Sequence, residues 1–528
     1  MSFPAKFRKV CLFKDARKIA WEYASRCDFR TWKHVDKCFL NCRISYYNKS
    51  WLRGQVFFKK NFSKSQFHFF LTYEKKKSIM IKRCCSRRIH QYISAEGAHS
   101  PSCMVTDVNS DQLQEVHMNV VGIIAEYNPF HSGHAYHIRQ AKELAKADYV
   151  VVILSGDFVQ RGEPAIFDKY SRTQDALNGG ADLVFELPVR FSLSSAGDFA
   201  YGGISALNSL GFVTHVCFGS EQGEIDSFLE VAETLDQEDN SRSEFNTILT
   251  DKLKNGSSYP DARAQALMNI IGDTDIDECF FSMPNNILGI ENCLAIRKLK
   301  SPIIPLTILR DGQDYRDATN PSMRRYPSST AIRAGITQSN TPHLTLNDFS
   351  DIISYRFREL LREDAGSGGR NSVTEAGKDL SGDIYGRIKN EIDSFTCAED
   401  LIEKCRTKAF TDSRLRRCLL QNCLGLKKTD NSMPYLHLLG LNTKAGHLLK
   451  DLRGAGIDEQ EGEAPSGAVH ILTRLAADLP RLDSDARKLY EEDLFAADIY
   501  RYVFQRKYRV TLPNEYQQAP VVVDRNID

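Results

Sequence analysis

Apolar and polar positions between residues 119 and 340 follow two alternating periods. VVGIIAEY (120–127), YVVVILSG (149–156), ADLVFELP (181–188) and THVCFGSE (214–221) are near-continuous apolar runs, the pattern of strands buried on both faces. SPIIPLTILR (301–310) is a fifth candidate. Between them lie stretches with helical spacing: AYHIRQAKELAKA (135–147), FDKYSRTQDALNGG (167–180), which stops at two glycines, and the small-residue run SSAGDFAYGGISALNSLG (194–211). Residues 222–275 read as polar helical stretches, PNNILGIENCLAIRKLK (284–300) as a further helix, and SSTAIRAGI (328–336) opens another. Strand–helix alternation at this spacing predicts an α/β fold, a doubly wound parallel sheet.

The β-rich runs stop near residue 340. DIYGRIKNEIDSF, RLRRCLLQNCLGL and DLFAADIYRYVF are amphipathic helices. DAGSGGRNSVTEAGKDLSGD (364–383) reads as a flexible Gly/Ser-rich insertion, and EQEGEAPSGA (459–468) as an acidic loop. The pattern divides the chain into an α/β domain at 118–340 and a mostly helical domain at 341–528. The 528 residues suffice for about three domains. A content of 42% hydrophobic and 26% charged residues is that of a soluble globular protein. No run of about 18 apolar residues occurs, which excludes a membrane-spanning helix.

Charge then changes the picture. The net charge of +1 hides a split: residues 1–117 hold 23 Lys+Arg and 9 Asp+Glu, the remainder 46 and 59. All three Trp (Trp21, Trp32, Trp51) and seven of the fourteen Cys also lie in residues 1–117. FHFFLTYEKKKSIMIKRCCSRRIH is typical of this segment and sustains no helix or strand template. Residues 1–117 therefore read as an atypical basic extension, disordered or not native. Three origins fit: a nucleic-acid-binding arm, a transit segment, against which the Trp and Cys content and the length argue, or a start assigned upstream of Met118, which opens the strand MNVVGIIAEYN as an initiator would. Intact mass of the natural protein decides whether the extension is kept: a species starting at Met118 would discard it. The cysteines carry no CxxC and no zinc spacing, so no metal held by protein side chains is expected. Scattered unpaired cysteines and the lack of a clear secretory signal predict a cytoplasmic protein.

Candidate chemistry concentrates at the end of the first apolar run, in GIIAEYNPFHSGHAYHI. His131-Ser132-Gly133-His134 follows a buried strand and leads directly into a helix. Ligands of open α/β sheets bind at the carboxyl ends of strands, and a helix N-terminus offers unpaired N–H groups to an anion. Gly133 lets a phosphate approach the backbone, and two imidazoles beside it can donate to phosphate oxygens as charge builds in a transition state.

HxGH so placed resembles the nucleotidylyltransferase superfamily, whose members attack the α-phosphate of ATP or CTP and release pyrophosphate. Its second signature resembles Ser328-Ser329-Thr330-Ala331-Ile332-Arg333, where the hydroxyls would cap a helix and Arg333 would hold the outer phosphates. A closer resemblance covers most of residues 118–528. GIIAEYNPFHSGHAYHI, SGDFVQRGEPAIFDKYSR, ADLVFELP, CFGSE, PNNILGIE and SSTAIR together resemble the tRNA(Met) cytidine acetate ligase family, and RLRRCLLQNCLGL and YLHLLGLNTKAGHLL are similar to its C-terminal part. The resemblance implies a Rossmann-like nucleotidylyltransferase domain and a helical tRNA-binding domain. It implies that ATP and acetate give acetyl-adenylate and pyrophosphate, and that the acetyl group passes to N4 of the wobble cytidine of elongator tRNA(Met).

By the same resemblance the ATP-binding stretch falls on Ile124, Ala125, Glu126, Tyr127, Asn128, Pro129, Phe130, His131, Ser132, Gly133, His134, Ala135, Tyr136 and His137. His131 and His134 are the expected catalytic residues. Gly219, Asn285 or Asn286, and Arg310 resemble further ATP contacts, though Gly219 also suits a tight turn and either Asn a helix cap. Mg²⁺ is expected to travel with the triphosphate. Gln160 and Arg161 sit in a loop that either contacts acetate or cytidine or is solvated. Lys169 and Arg172, one turn apart, either face phosphate or lie on a solvated helix face. Arg414, Arg416, Arg417, Lys427 and Lys428 form a basic cluster expected to meet tRNA phosphates, and Lys444, His447, Lys450 and Arg453 another. The partners expected are ATP, acetate and elongator tRNA(Met), with no membrane. The alternative is a small-molecule nucleotidylyltransferase, which the extra helical domain argues against.

Overall fold

The computed structural model describes residues 118–237, 243–272, 276, 278–310, 329–366, 378–428, 433–449 and 469–524, together with four strands between residues 40 and 81. Residues Met1–Gln114 and Glu115–Asp528 are separate compact units. In the first, Leu40–Ser45, Trp51–Lys59, His68–Tyr73 and Ser78–Ile81 pair in sequence order as an antiparallel sheet. The alternation pattern had shown no strand there. Runs such as HFFLTY and SIMI are rich in aromatic and β-branched residues, the types enriched in strands.

The second unit is built on an eight-stranded sheet. Its strands are β1 (Val120–Ala125), β2 (Tyr149–Ser155), β3 (Leu183–Leu187), β4 (His215–Ser220), β5 (Ile304–Leu309), β6 (Tyr435–Asn442), β7 (His470–Leu472) and β8 (Val521–Val523). The order is β5-β4-β1-β2-β3-β6-β7, with β8 also beside β6. β1 to β5 are mutually parallel wherever they pair, as the five apolar runs predict. The chain winds from β1 outward through β2 and β3, then returns to place β4 on the other side of β1. The switch point between β1 and β4 is where such a sheet opens a crevice at its carboxyl edge.

Alternate residues of β1 feed the two layers. Val121 and Ile123 pack with Ile138 and Ala141 of α1 (Ser132–Leu144) and with Ala176 and Leu177 of α2 (Lys169–Asn178). Val120 packs on the opposite face with Phe199, Ile204 and Leu207 of α3 (Ala196–Ser209). That helix is rich in small residues because it lies close: a Cβ on Gly122 would sit 2.6 Å from the Leu207 methyls, and one on Gly203 would sit 2.5 Å from Ile124. After β4, α4 (Ile225–Gln237), α5 (Glu244–Lys254) and α6 (Tyr259–Ile271) share an apolar core with α7 (Pro284–Lys298), which leads into β5.

Beyond residue 340 the chain is mainly helical, as expected. α8 (Ser329–Thr337) precedes α9 (Ser350–Gly366), α10 (Gly382–Glu391), α11 (Ala398–Cys405), α12 (Asp412–Cys423) and α13 (Ser484–Tyr508). Phe349, Ile353, Phe357, Ile388, Leu401, Leu419 and Val503 are among their shared core. The expected insertion at 364–383 is in part helical at its two ends, and its residues 367–377 lie outside those described, as do residues 459–468. One expectation needs correcting: β-structure does not end near 340. YLHLLGLN forms β6, antiparallel to β3, and carries β7 and β8 beside it. Its run lacks strict alternation because six of its first seven positions and the last are wholly buried between layers. Among the described residues no helix is long and apolar enough to cross a membrane.

Lys169 and Arg172 lie neither on a solvated face nor toward a ligand: they are 1% and 0% exposed. The Lys169 ammonium sits between Glu186 of β3 (2.8 Å) and Glu515 of the C-terminal segment (2.9 Å), while His437 of β6 holds the other Glu186 oxygen at 2.8 Å. Burial alone would push the Glu186 carboxyl up and the Lys169 amine down. The opposite charges outweigh it, so Glu186 is held below and Lys169 above their ordinary ranges. Glu186, His437 and Glu515 lie close enough to share a cation, and the Lys169 ammonium is the cation between the two carboxylates. Lys169→Met leaves those carboxylates buried together. It is expected to lower unfolding stability in urea by about 3–5 kcal/mol; a change under about 1 kcal/mol contradicts this role.

Candidate nucleotide site

β1 ends at the switch point, and the chain turns there through Tyr127 at φ 44° into the Asn128-Pro129 bond, which is cis. A tyrosine at positive φ is strained. It is held by ring packing: Tyr127 lies 5.0 Å from Phe130 and 4.8 Å from His134, centroid to centroid. Asn128 is buried, and its side-chain carbonyl accepts from the Ile166 N–H at 2.8 Å.

His131 is the N-cap of α1. Its Nδ1 accepts from the Gly133 N–H at 3.1 Å, so in the neutral ring the proton sits on Nε2, as a donor. His134 stacks on it, with ring centroids 3.7 Å apart and planes at 24°. Burial, then the nearby Arg310 charge, lowers the His131 pKa, and burial with His131, His137 and Arg310 holds His134 well below its ordinary value. Burial pushes His137 down to about 4. All three imidazoles are therefore neutral at neutral pH and act as hydrogen-bonding groups without adding charge. Nδ1 of His134 and Nε2 of His137 are buried without a hydrogen-bond partner among the described residues.

The positive charge is supplied by arginines. Arg310 follows β5, and its backbone N–H donates to Ser220 O at 2.9 Å, which puts it beside Gly219 at the end of β4. A Cβ on Gly219 would come 3.1 Å from Arg310 Cγ, so this glycine is a place of close approach. Arg333, on α8, donates to the Asn128 carbonyl at 3.0 Å and to the Thr330 hydroxyl at 3.2 Å. The SSTAIR segment thus docks onto the HxGH turn; Ser328 lies outside the described residues. Arg161 repels both Arg310 and Arg333 electrostatically. The Arg161 charge thus acts on both of the arginines at this edge.

The two asparagines separate. Asn286 is buried; its carbonyl accepts from the backbone N–H of Glu221 (3.0 Å) and of Gln222 (3.2 Å), so it latches the turn after β4. Asn285 accepts from Arg310 at 3.1 Å and donates to Glu221 at 2.6 Å, on the guanidinium side. Residues Ile124 to His137 and Gly219, Asn285, Arg310 and Arg333 are thus brought to the β1–β4 edge. The basic cluster lies on α12 and just beyond it, and its members are engaged differently. Arg416 pairs with Glu163 and Glu399, and Arg417 donates to Gln160 O, whereas Arg414 lies over the Phe410 ring and Lys427 and Lys428 are exposed. Lys444 pairs with Asp182, and Lys450 and Arg453 lie outside the described residues.

Two residues named from the sequence shape this edge in ways the sequence did not indicate. Arg172 donates to four carbonyls: Phe167 (2.9 Å), Glu126 (2.7 Å), Ser155 (3.0 Å) and Gly156. Glu126, raised by burial but drawn down by Arg161 and Arg333, accepts from the Gln160 N–H at 2.9 Å. Nothing in helical periodicity separates an arginine that binds carbonyls from one in solvent.

Neutral imidazoles at a helix N-terminus, with the Arg310 charge beside them at the switch point of a parallel sheet, are the arrangement of a nucleotidyl transferase. The family model described as HIGH Nucleotidyl Transferase matches residues 118–514. The tRNA(Met) cytidine acetate ligase of Clostridium novyi is 39% identical over 357 residues, covering 64% of this chain and 88% of that protein. That of Clostridium perfringens is 35% identical over 428 residues, covering 77% and 100%. The crystal structure of Thermotoga maritima TmcAL bound with alpha-thio ATP matches with a TM-score of 0.65 at 27% identity, covering 77% of this chain and all of that one. The chain belongs to the tRNA(Met) cytidine acetate ligase family.

His137 gives a test of this electrostatic reading. Its unfolded imidazole binds a proton near 6.5 and the folded one near 4. Stability is therefore present above 6.5 and lost as pH falls toward 4. Asp157, raised to about 7 by burial, acts with the opposite sign, so the comparison must be with a variant. His137→Gln is expected to flatten the acid limb of urea-derived stability relative to the parent; parallel curves contradict the reading.

Proposed function

We propose that the chain activates acetate with ATP as acetyl-adenylate and transfers the acetyl group to N4 of the wobble cytidine of elongator tRNA(Met). The observation that carries this is the stacked His131–His134 pair at the N-terminus of α1, with the Arg310 charge acting on both rings and Arg333 held on the Asn128 carbonyl of the same turn.

An acetate oxygen attacks the α-phosphorus of ATP, and the bond to the β-phosphate oxygen breaks, releasing pyrophosphate. No side chain need form a covalent bond. His131 and His134 donate to oxygens that gain charge in the transition state, and their neutrality leaves each ring a hydrogen to donate without repelling the arginines. Arg333 and Arg310 hold the phosphates, Asn285 orients Arg310, and Gly219 leaves room beside it. The cytidine amine then attacks the acetyl carbonyl, AMP leaves, and the amine loses a proton.

The carboxylates of Glu126, Glu163 and Glu221 are each engaged, with Gln160, Arg416 and Asn285 respectively. They do not form a free carboxylate set, so in this reading Mg²⁺ travels with the triphosphate, which supplies its ligands. Arg414, Lys427 and Lys428 remain on the helical surface for tRNA phosphates, and a stem there is recognised mainly by shape.

ATP–pyrophosphate exchange tests the first step. Exchange that depends on acetate is expected, with a fall of about 100–1,000-fold in His134→Ala. Exchange indifferent to acetate, or to His134, contradicts the proposal.

A further inference from the structure

The loop between Asp157 and Ala165 belongs to two places at once. Phe158–Val159 and Glu163–Pro164 pair as a small antiparallel hairpin, leaving Gln160, Arg161 and Gly162 as its turn. On one side the turn meets the nucleotide site: the Gln160 N–H donates to Glu126 Oε1 at 2.9 Å, and the Arg161 charge acts on Glu126, Arg310 and Arg333. On the other side it meets α12. Arg417 Nη1 donates to the Gln160 carbonyl at 3.3 Å, and Arg416 pairs with Glu163 at 3.3 Å. Gly162, at φ 79°, backs onto the same helix, where a Cβ would lie 2.5 Å from Arg416 Cβ and from Arg417 N. Below the turn Phe158 is fully buried in the helical core, with its ring 5.6 Å from Phe349 and 6.2 Å from Tyr500.

We propose that Arg417, with Arg416, is a positioning residue for adenylation: the helical domain holds the 158–164 hairpin in place and through it sets Arg161 against the nucleotide phosphates. Gln160 is gripped at its N–H by the end of β1 and at its carbonyl by α12, so the adjacent Arg161 backbone has little freedom. Arg417 never reaches substrate. It acts through the hairpin: Nη1 donates to Gln160 O, and the guanidinium charge is paired with Asp379, 3.8 Å from Nε. The arginines that sequence pattern offers to tRNA are, in this account, the joint between the two halves of the enzyme. The inference rests on the adenylation reading above, and the experiment keeps the two apart.

The test is a double-mutant cycle on the full chain, in ATP–pyrophosphate exchange with acetate and without RNA. Arg161→Ala and Arg417→Ala are each expected to lower kcat/KM for ATP by about tenfold, the scale of one charge-assisted hydrogen bond. The double variant is expected to be no worse than Arg161→Ala alone within about twofold, because both changes remove one arrangement. Arg417→Lys, which keeps a donor for the Gln160 carbonyl, is expected to recover most of the loss. Gly162→Ala, which drives a Cβ into α12, is expected to reproduce it with Arg417 intact. Additive losses of about a hundredfold in the double variant overturn the coupling, since a merely structural Arg417 has no reason to share its effect with Arg161. If the unaltered chain exchanges no pyrophosphate, the ligase reading fails; the coupling is then read from the dissociation constant for ATP, where the same non-additivity supports it and additivity overturns it.

Discussion

Parallel strands that end inside a protein leave carbonyls pointing away from the sheet, and each one without a donor costs about 1–3 kcal/mol. Here that constraint is met at the ends of β1 and β2 by one side chain. Arg172 is fully buried and donates to the carbonyls of Glu126, Ser155, Gly156 and Phe167. It thereby fixes the ends of β1 and β2 relative to each other and to the start of α2. The HxGH turn begins at His131, five residues beyond Glu126, and the Arg161 hairpin begins at Phe158, two beyond Gly156, so both hang from these fixed points.

Two charge regimes stand side by side at this edge. Around Lys169 the charges are opposite, buried and closely paired with Glu186, Glu515 and His437, which fastens the C-terminal segment and β6 to the sheet. Around His134 the imidazoles are neutral and the guanidiniums repel one another, an arrangement suited to an anion. The first regime stabilises the fold, while the second leaves donors and positive potential for phosphate.

The positions of β1 to β5 were legible because parallel strands buried on both faces make apolar runs that no surface element imitates. The HxGH stretch was legible for a related reason: it sits where the period changes from strand to helix, and that place has defined chemistry. β6 was not legible as a strand, since YLHLLGLN offers no alternation and its pairing with β3 spans more than 250 residues of chain. Arg172, Arg416 and Arg417 misled for another reason. A long cation on a helix looks the same in sequence whether it faces solvent, phosphate or buried carbonyls, and only tertiary packing decides. The same holds for Asn285 and Asn286, neighbours in sequence with different jobs.

The central claim is that acetate, and no protein group, attacks the α-phosphorus. Acetate labelled with ¹⁸O in both carboxylate oxygens, supplied with ATP and tRNA(Met), tests it directly. The account predicts one ¹⁸O atom in the AMP released, because the attacking oxygen remains on phosphorus when the cytidine amine takes the acetyl group. AMP without label, alongside acetylated tRNA, would contradict it.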